Sequence, residues 1–225
     1  MLKFYYNPIS PNARRVWLTL LEKEIAFEPI LMNLDGDQLQ AEFLKVNPFH
    51  HIPVLVDDDL QIVESLAIMD YLEAKYPTPS LLPKENQALA KVRMVQYVTA
   101  NELFPQIVSL IYENTASPQF LKATQHIDKV LLFLTELLGN SFYFGSEQLT
   151  LADIVAGIAV SSLPSLGINL SNYPKINEWT ERLMQRPVWQ KKKLSADDFE
   201  QFKRRVRILV KLRRRELNRG NKAQV

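Results

Sequence analysis

Short segments near the amino terminus combine backbone and side-chain groups that could hold a small peptide. Ile52-Pro53 directly precedes the apolar run Val54–Val56. Because proline cannot donate a hydrogen bond within a central strand, the sequence predicts either a cis Ile52-Pro53 bond or an edge position, and both leave the Ile52 backbone free for a ligand. Glu64-Ser65 then starts a helical pattern, where a carboxylate, a hydroxyl and free N–H groups would suit the amine and carboxylate of a peptide.

A second set of groups surrounds Ser10, which lies in the loop between the first predicted strand and the first predicted helix. The start of that helix would offer free N–H groups and partial positive charge. Lowering the pKa of a bound thiol from about 8.5 by roughly two units takes ~2.7 kcal/mol, which a hydroxyl donor and a helix dipole can supply. Arg14 and Arg15 add two positive charges near the positive end of the helix dipole, which is unfavourable for the helix alone. The arrangement is favourable if an anion is bound above the start of the helix. Taken alone, the pattern favours the simpler alternative that Ser10 caps the helix and the arginines form surface or interdomain ion pairs.

The composition limits the chemistry that the protein itself can supply. None of the 225 residues is cysteine, which excludes disulfides, thiolate metal sites and a protein thiol nucleophile, so any reacting sulfur must belong to the ligand. The adjacent His50 and His51 lack further suitably spaced ligands, and no metal site is expected. We find neither an apolar run long enough to cross a membrane nor a leader pattern, and we expect a cytoplasmic protein without membrane association.

Hydrophobic periodicity predicts two domains of different class. Residues 1–77 are predicted to form an α/β layer with the order β-α-β-α-β-β-α. The strands and helices of this layer are expected at Leu2–Tyr6, Asn12–Lys23, Glu28–Leu34, Gln38–Val46, Val54–Val56, Gln61–Val63 and Ser65–Tyr76. Residues 78–85 form the predicted linker, and residues 86–225 are predicted to form an all-helical domain with a basic C-terminal extension.

Helical periodicity dominates the second domain. Its helices are expected at Asn86–Tyr112, Pro118–Leu138, Thr150–Pro164 and Pro174–Met184, with a last basic helix from about Ala196. Thr150 and Asp153 fit a capping box. Residues 200–225 hold ten Lys and Arg against two Glu, a net charge of +8. Such a segment can contact nucleic acid, anionic lipid or an acidic partner, but a solvated helix is the favoured interpretation.

Four segments occur together in an order and at a spacing that point to one family. They are Tyr6-Asn7-Pro8-Ile9-Ser10-Pro11, the stretch from Asn47-Pro48 to Ile52-Pro53, Glu64-Ser65, and Leu149-Thr150-Leu151-Ala152-Asp153. Together they resemble the cytosolic glutathione S-transferases, in the serine-using branch with theta- and delta-like members or in a cyanobacterial chi-like subclass. The resemblance spans nearly the whole chain. It implies a thioredoxin-like N-terminal domain that binds glutathione and a helical C-terminal domain that supplies most of the pocket for an electrophile.

The resemblance also implies roles for individual residues. Ser10 would donate its hydroxyl to the glutathione sulfur and stabilise a thiolate. The Ile52 backbone would pair with the cysteinyl part of glutathione at the cis-Pro53 turn. Glu64 and Ser65 would hold the γ-glutamyl amine and carboxylate respectively.

The sequence departs from the family pattern at some positions. His50 falls where delta-like members place a histidine near the glycyl carboxylate, but many other members have glycine there. The position after the Glu-Ser pair, often arginine in delta-like members, is Leu66. Tyr5 or Tyr6 could supply a phenolic hydroxyl in place of Ser10, as tyrosine-using branches do, although strand alternation turns one of the pair into the core.

A stripe on the first long helix of the second domain is a candidate wall for the electrophile pocket. Core packing is the stronger interpretation for each of its members, because an aromatic stripe at helical spacing usually fills a bundle interior. These residues are Asn101, Phe104, Val108 and Tyr112.

The leading hypothesis is a homodimeric enzyme with reduced glutathione as its co-substrate and no bound cofactor. It would conjugate glutathione to small hydrophobic electrophiles such as aryl halides and isothiocyanates, with reduction of organic hydroperoxides as a side activity. A glutathione-dependent isomerase or dehalogenase would share the same binding site. The alternative is a non-catalytic module of this fold that docks an acidic partner or RNA through its basic tail, and the retained glutathione-site residues favour the enzyme over it. The tail residues are Lys203, Arg204, Arg205, Arg207, Lys211, Arg213, Arg214 and Arg215.

Overall fold

A four-stranded sheet forms the centre of the amino-terminal part of the protein. The computed structural model describes the backbone of residues 1–222 and the side chains of residues 1–215. β1 runs parallel to β2 and antiparallel to β3, and β3 and β4 form an antiparallel hairpin. The sheet order is β2-β1-β3-β4, with the strands β1 (Lys3–Tyr6), β2 (Glu28–Leu31), β3 (Val54–Asp57) and β4 (Leu60–Val63).

Three helices complete this part, and the predicted order β-α-β-α-β-β-α is confirmed. They are α1 (Pro11–Glu22), α2 (Ala41–Leu44) and α3 (Ser65–Lys75). The single helix predicted over Gln38–Val46 is wrong. A 3-10 turn, Asp37–Leu39, precedes the short α2, because Gln40 between them has an extended backbone with φ −74° and ψ 147°.

Successive residues of the central strands face different cores, as the period of a β-strand requires. Phe4 and Leu55 are buried in the main core together with side chains of α1 and α3. The neighbouring residues Tyr5 and Val54 face the other side, where a smaller core forms around Phe43 of α2. The sheet is therefore a middle layer, with α1 and α3 on one face and α2 on the other.

Helices follow from residue 86 onward. They are α4 (Asn86–Val98), α5 (Phe104–Tyr112), α6 (Pro118–Leu138), α7 (Leu151–Val160), α8 (Pro174–Met184), α9 (Pro187–Lys191) and α10 (Ala196–Lys222). The sequence predicts the bounds of α6 and α8 and the start of α10 correctly. It misses α9, where Pro187 starts a short helix because its missing N–H costs no hydrogen bond in a first turn. Across the described residues, none of the helices is both long and apolar enough to cross a membrane.

A π-helical segment, Thr99–Leu103, joins α4 to α5. The predicted helix over Asn86–Tyr112 is thus continuous but irregular. Pro105 explains the irregularity, because it lacks the N–H that would bond to the carbonyl of Asn101 and its ring crowds that carbonyl.

Helix α7 is buried along its whole length and holds a carboxylate in its first turn. The predicted capping box of Thr150 and Asp153 is present. Asp153 accepts hydrogen bonds from the Thr150 N–H and the Thr150 hydroxyl, both at 2.7 Å. It also accepts from the Phe144 N–H at 3.0 Å and the Trp179 indole N–H at 2.8 Å. Burial raises the pKa of Asp153 to about 6, and the hydrogen bonds oppose that rise.

Polar contacts fix α1 against the helical domain. Glu22, the last residue of α1, accepts two hydrogen bonds from Arg186, at 2.9 and 2.6 Å. At the other end of the helix, the Arg14 guanidinium donates to the carbonyl of Lys192 at 2.8 Å. Because Ser10 directly precedes α1, these contacts also set the position of Ser10 relative to the helical domain.

Candidate active site

A cavity of about 360 Å³ lies where the N-terminal ends of α1 and α3 meet the loop before β3. We call it the first cavity. The first half of α10 covers it from the side of the helical domain. Its walls are formed by Ile9, Ser10, Pro11, Asn12, Leu34, Gln38, Asn47, His50, His51, Ile52, Pro53, Glu64, Ser65, Phe202, Arg205, Val206 and Leu209.

The structure brings together on this wall every residue that the sequence assigned to glutathione binding. They are Ser10, His50, Ile52, Pro53, Glu64 and Ser65. These residues come from three separate segments, the starts of α1 and α3 and the loop before β3, so their convergence depends on the fold and not on sequence proximity.

Ser10 is the N-cap residue of α1, and its hydroxyl oxygen accepts a hydrogen bond from the Ala13 N–H at 3.3 Å. The capping role and the role of hydrogen-bond donor are compatible, because a hydroxyl has a donor in addition to two acceptor lone pairs. Its proton can therefore point to an anion in the first cavity. The positive end of the α1 dipole adds to this preference for an anion.

The two arginines of the first turn of α1 are buried and not at the surface. Among the described residues neither forms an ion pair, so the alternative of surface or interdomain ion pairs is wrong. Arg15 lies over the Phe104 ring at 5.3 Å, and its guanidinium is 3.5 Å from the Ser65 hydroxyl. Burial lowers the pKa of both Arg14 and Arg15 to about 10. Arg15 thus places a positive charge directly behind Ser65.

The loop before β3 presents backbone groups to the first cavity. The Ile52-Pro53 bond is cis, one of the two forms that the sequence predicted, and β3 is a central strand. The buried Asn47 shapes the loop, since its amide donates to the His51 carbonyl at 2.7 Å and accepts from the Phe49 N–H at 3.0 Å. Ile52 lies before the strand ladder, which begins at Val54, and lines the cavity.

Two residues on the wall of the first cavity have a positive φ, a backbone conformation that residues other than glycine rarely adopt. His50 has a φ of +58° and Glu64 a φ of +69°. Such a conformation costs about 1–3 kcal/mol at each residue and is typical of ligand-binding sites. Glu64 directly precedes α3, and Ser65 is the buried first residue of that helix, beside its free N–H groups.

A second cavity, of about 470 Å³, adjoins the first and shares Pro11 and Phe202 with it. Side chains of α7, α9 and α10 surround it, and most of the larger ones are apolar or aromatic. Its walls are formed by Pro11, Arg14, Phe104, Ile158, Ser161, Ser162, Ser165, Met184, Trp189, Lys193, Leu194, Ser195, Ala196, Phe199, Glu200, Phe202 and Lys203. An apolar space beside the Ser10 end of the first cavity suits a small hydrophobic molecule.

The stripe proposed for the electrophile pocket is divided by the structure. Phe104, directly after the π-helical segment, lines the second cavity. Asn101 is exposed, and Val108 packs against the main core. The Tyr112 ring lies under the guanidinium of Arg214 at 4.3 Å. These three residues line neither the first nor the second cavity.

Sequence reasoning missed the contribution of α10 to the site. Most described residues of the basic tail are exposed, as the favoured solvated helix implies, but Phe202 and Val206 on one face of α10 line the first cavity and Val206 is buried. Phe199, Phe202 and Val206 recur at helical spacing in an otherwise charged segment, and this signal could have identified a packed face. Arginines of the tail also bind the chain itself: Arg207 donates to the Ile111 carbonyl at 3.1 Å.

Tyr5 and Tyr6 do not line either cavity. Tyr5 packs against Phe43 at a ring distance of 5.9 Å, and Tyr6 packs against Trp17 at 5.1 Å. The hydroxyls on the wall of the first cavity are those of Ser10 and Ser65.

Comparisons with known proteins agree with this geometry. Residues 4–80 match the family model of the glutathione S-transferase N-terminal domain, and residues 73–187 match that of the glutathione S-transferase C-terminal domain. The chain is similar to glutathione S-transferase D7 of Drosophila melanogaster, with 28% identity over 207 residues, which cover 89% of this chain and 92% of the relative.

Solved structures of the same kind are similar over almost the whole chain. A delta-class glutathione transferase of Nilaparvata lugens has 27% identity and a TM-score of 0.79, covering 92% of this chain and 100% of that one. An epsilon-class glutathione S-transferase of the housefly Musca domestica has 31% identity and a TM-score of 0.76, covering 92% and 97%. A glutathione transferase homologue of Drosophila mojavensis, solved with bound glutathione, has 30% identity and a TM-score of 0.76, covering 91% and 95%. With matches to both family models and this shared architecture, the chain belongs to the glutathione S-transferase family and is an enzyme of that family.

Proposed function

We propose that the enzyme conjugates reduced glutathione to small hydrophobic electrophiles such as aryl halides and isothiocyanates. The observation that carries this proposal is the position of the Ser10 hydroxyl. It lies on the wall of the first cavity at the N-terminus of α1, and the apolar second cavity begins at the adjacent Pro11. A thiolate held by Ser10 would therefore face the space that suits the electrophile.

In the proposed reaction, the glutathione thiol loses its proton to solvent and the Ser10 hydroxyl donates to the resulting thiolate. The sulfur then bonds to the electrophilic carbon. With an aryl halide, the carbon–halogen bond breaks and halide leaves with the bonding pair. With an isothiocyanate, the sulfur adds to the central carbon and the nitrogen takes up a proton. Donors already placed at the sulfur stabilise its charge without reorganisation during the reaction.

The remaining wall of the first cavity supports a defined orientation of glutathione. We place the γ-glutamyl amine at the Glu64 carboxylate and the γ-glutamyl carboxylate at Ser65, whose hydroxyl has the Arg15 guanidinium 3.5 Å behind it. The cysteinyl backbone would pair with Ile52, and the glycyl carboxylate would lie near His50. The homologue of Drosophila mojavensis, which was solved with bound glutathione, supports glutathione as the ligand.

The same thiolate would reduce organic hydroperoxides as a side activity. Attack of the sulfur on the terminal peroxide oxygen breaks the O–O bond and releases an alcohol. A second glutathione then reduces the sulfenic acid so formed, which gives glutathione disulfide and water.

Binding and turnover together test the proposed function. The protein should be retained on immobilised glutathione and eluted by free glutathione, and it should conjugate glutathione to a chloro-dinitrobenzene and to an isothiocyanate. A matched incubation with S-methyl glutathione, which has no free thiol, should give no product. Failure of the protein to bind glutathione at millimolar concentration would contradict the proposal.

Replacing Ser65 by alanine is expected to weaken glutathione binding and to leave the chemical step nearly unchanged. The Ser65→Ala variant should raise the KM for glutathione about tenfold, the scale of one hydrogen bond to a charged group, with little change in kcat. Steady-state kinetics with varied glutathione measures both quantities. Ser109→Ala is the matched control, because the Ser109 hydroxyl donates to the Pro105 carbonyl at 3.1 Å, away from both cavities. An unchanged KM in Ser65→Ala would remove Ser65 from the binding site.

We also propose that the enzyme is a homodimer. β4 is an edge strand of the sheet, and α4 exposes the apolar side chains of Met94 and Tyr97, with 41% and 53% of their surface accessible. Sedimentation equilibrium should give twice the chain mass of 26.0 kDa. Exchange of Met94 and Tyr97 for glutamate should shift the distribution toward the single chain, and a monomeric wild-type protein at micromolar concentration would contradict the proposal.

A further inference from the structure

Helix α10 lies outside the segments that match the family models, which end at residue 187. A capping arrangement fixes its start, since the Ser195 hydroxyl donates to the Asp198 carboxylate at 2.7 Å and accepts from the Asp198 N–H at 3.0 Å. From there the helix crosses the first cavity, with Phe202, Arg205 and Val206 on the wall. The helix therefore places a cation on the wall of the space that the family motifs assign to glutathione.

Arg205 holds α10 against the loop after β2. Its guanidinium lies 2.9 Å from the Asp35 carboxylate and also donates to the Leu34 carbonyl. The two contacts use two of the five N–H donors of a guanidinium, so further donors can face the cavity. The Arg205 side chain is only 22% exposed, whereas that of Asp35 is 86% exposed. Water therefore screens the carboxylate more than the guanidinium, and a second anion inside the cavity would still be attracted to Arg205.

Other polar groups gather at the same end of the first cavity. The Gln38 amide donates to the Leu34 carbonyl at 2.9 Å, and its side-chain oxygen is buried without a hydrogen-bond partner in the part of the chain that the structure describes. One ring nitrogen of His50 lies 3.3 Å from the Gln38 carbonyl. The proposed orientation of glutathione places its glycyl carboxylate near His50. This end of the cavity therefore combines the proposed position of an anion with a partly desolvated cation.

We propose that Arg205 binds the glycyl carboxylate of glutathione, so that α10 forms part of the glutathione site as well as covering it. The inference rests on the proposed function and names a contact that the family motifs do not contain. It makes the enzyme selective for thiol peptides with a free C-terminal carboxylate. A peptide whose glycyl carboxylate is masked keeps its other contacts but loses the one with Arg205.

Calorimetric binding of two peptides tests the inference. The peptides are glutathione and its glycyl ethyl ester, which differ only in the charge and size of the C-terminal group. Wild type should bind glutathione about tenfold more tightly than the ester, the scale of one charge-assisted hydrogen bond. Arg205→Gln should lose about this factor for glutathione and bind the ester as wild type does. Arg204→Gln, at an exposed neighbour on the same helix, should keep the wild-type preference.

A second variant distinguishes a direct contact of Arg205 with the ligand from a purely structural role of Arg205. Asp35→Asn removes the carboxylate that holds Arg205 but leaves the cation at the cavity, so the preference for glutathione over the ester should persist. The inference is overturned if Arg205→Gln weakens both peptides equally, or if Asp35→Asn abolishes the preference as fully as Arg205→Gln does. Absence of glutathione binding by wild type would instead overturn the proposed function itself.

Discussion

Replacing Ser10 by alanine is expected to lower kcat/KM for the conjugation of glutathione at neutral pH by about 10- to 100-fold, because the thiol pKa would rise by roughly two units and the thiolate fraction would fall. The hydroxyl that would donate to the thiolate also accepts the Ala13 N–H at 3.3 Å, and among the described residues Ser65 supplies the only other side-chain hydroxyl on the wall of the first cavity. The loss should be largest near neutral pH and should shrink as the pH rises above the free thiol pKa of about 8.5, because the thiol then ionises without the hydroxyl. Steady-state kinetics with an aryl halide at neutral pH measures it.

Loss of a helix cap accompanies this substitution and needs its own control. Ser117 caps α6 in the same way, with its hydroxyl accepting from the Phe120 N–H at 3.1 Å, and lines neither cavity. Ser117→Ala should therefore lose about 1 kcal/mol of stability, as a lost cap does, without a change in turnover. Ser10→Thr keeps a hydroxyl and should retain much of the activity. Turnover within a factor of two of wild type in Ser10→Ala would exclude the hydroxyl from catalysis.

The second large effect is expected from Asp153→Ala, which should lower the free energy of unfolding by about 4 kcal/mol. The buried carboxylate accepts four hydrogen bonds from three residues, Phe144, Thr150 and Trp179. Alanine would leave their three N–H donors unpaired in the interior, whereas the Thr150 hydroxyl also reaches the Phe144 carbonyl at 3.2 Å. For a chain of this length the midpoint of thermal unfolding should fall by about 10 °C. Urea and thermal unfolding followed by circular dichroism measure the two quantities.

An exposed cap provides the comparison for Asp153. Glu85 caps α4 by accepting from the Gln87 N–H at 2.8 Å and the Ala88 N–H at 2.6 Å, both in contact with solvent. Glu85→Ala should destabilise the protein much less, because water can replace the carboxylate. Equal effects of the two substitutions would show that burial of Asp153 does not amplify its hydrogen bonds.

Acidification should affect wild type and the Asp153→Ala variant differently. The pKa of Asp153 is raised from 3.8 to about 6 in the folded state, so the folded protein binds this proton more tightly than the unfolded chain. The part of its contribution to stability that comes from proton binding is therefore fully present below about pH 4 and is lost as the pH rises through about 6. The difference in stability between wild type and the variant should accordingly widen as the pH falls across this window.

Local chemistry explains which elements the sequence predicts well. Thr150 and Asp153 define a helix start by themselves, because both partners of the capping box lie within one turn. Ile52-Pro53 before an apolar run indicates an unusual backbone for a similar reason. The sequence did not predict the π-helical segment Thr99–Leu103. Pro105 causes this irregularity, but a proline inside a helical pattern predicts a break or a kink equally well.

Long-range packing explains what the sequence does not predict about the site. Arg205 meets Asp35 across 170 positions of sequence, and no local pattern pairs them. Phe104 lines the second cavity, whereas Asn101, three positions earlier, is exposed. In a regular helix these two residues would lie on nearly the same face, but the π-helical segment between α4 and α5 changes the rotation from one residue to the next. The burial of Arg14 and Arg15 likewise results from long-range packing, since Arg14 contacts Lys192 and Arg15 lies over Phe104.

The pKa of the glutathione thiol bound to the enzyme tests the central claim most directly. Ultraviolet absorbance of the thiolate, followed against pH for wild type and for Ser10→Ala saturated with glutathione, measures this pKa. We expect the bound thiol of wild type to titrate roughly two units below the free value of about 8.5, and that of Ser10→Ala to return most of the way to it. Equal pKa values in the two proteins would show that Ser10 does not stabilise the thiolate.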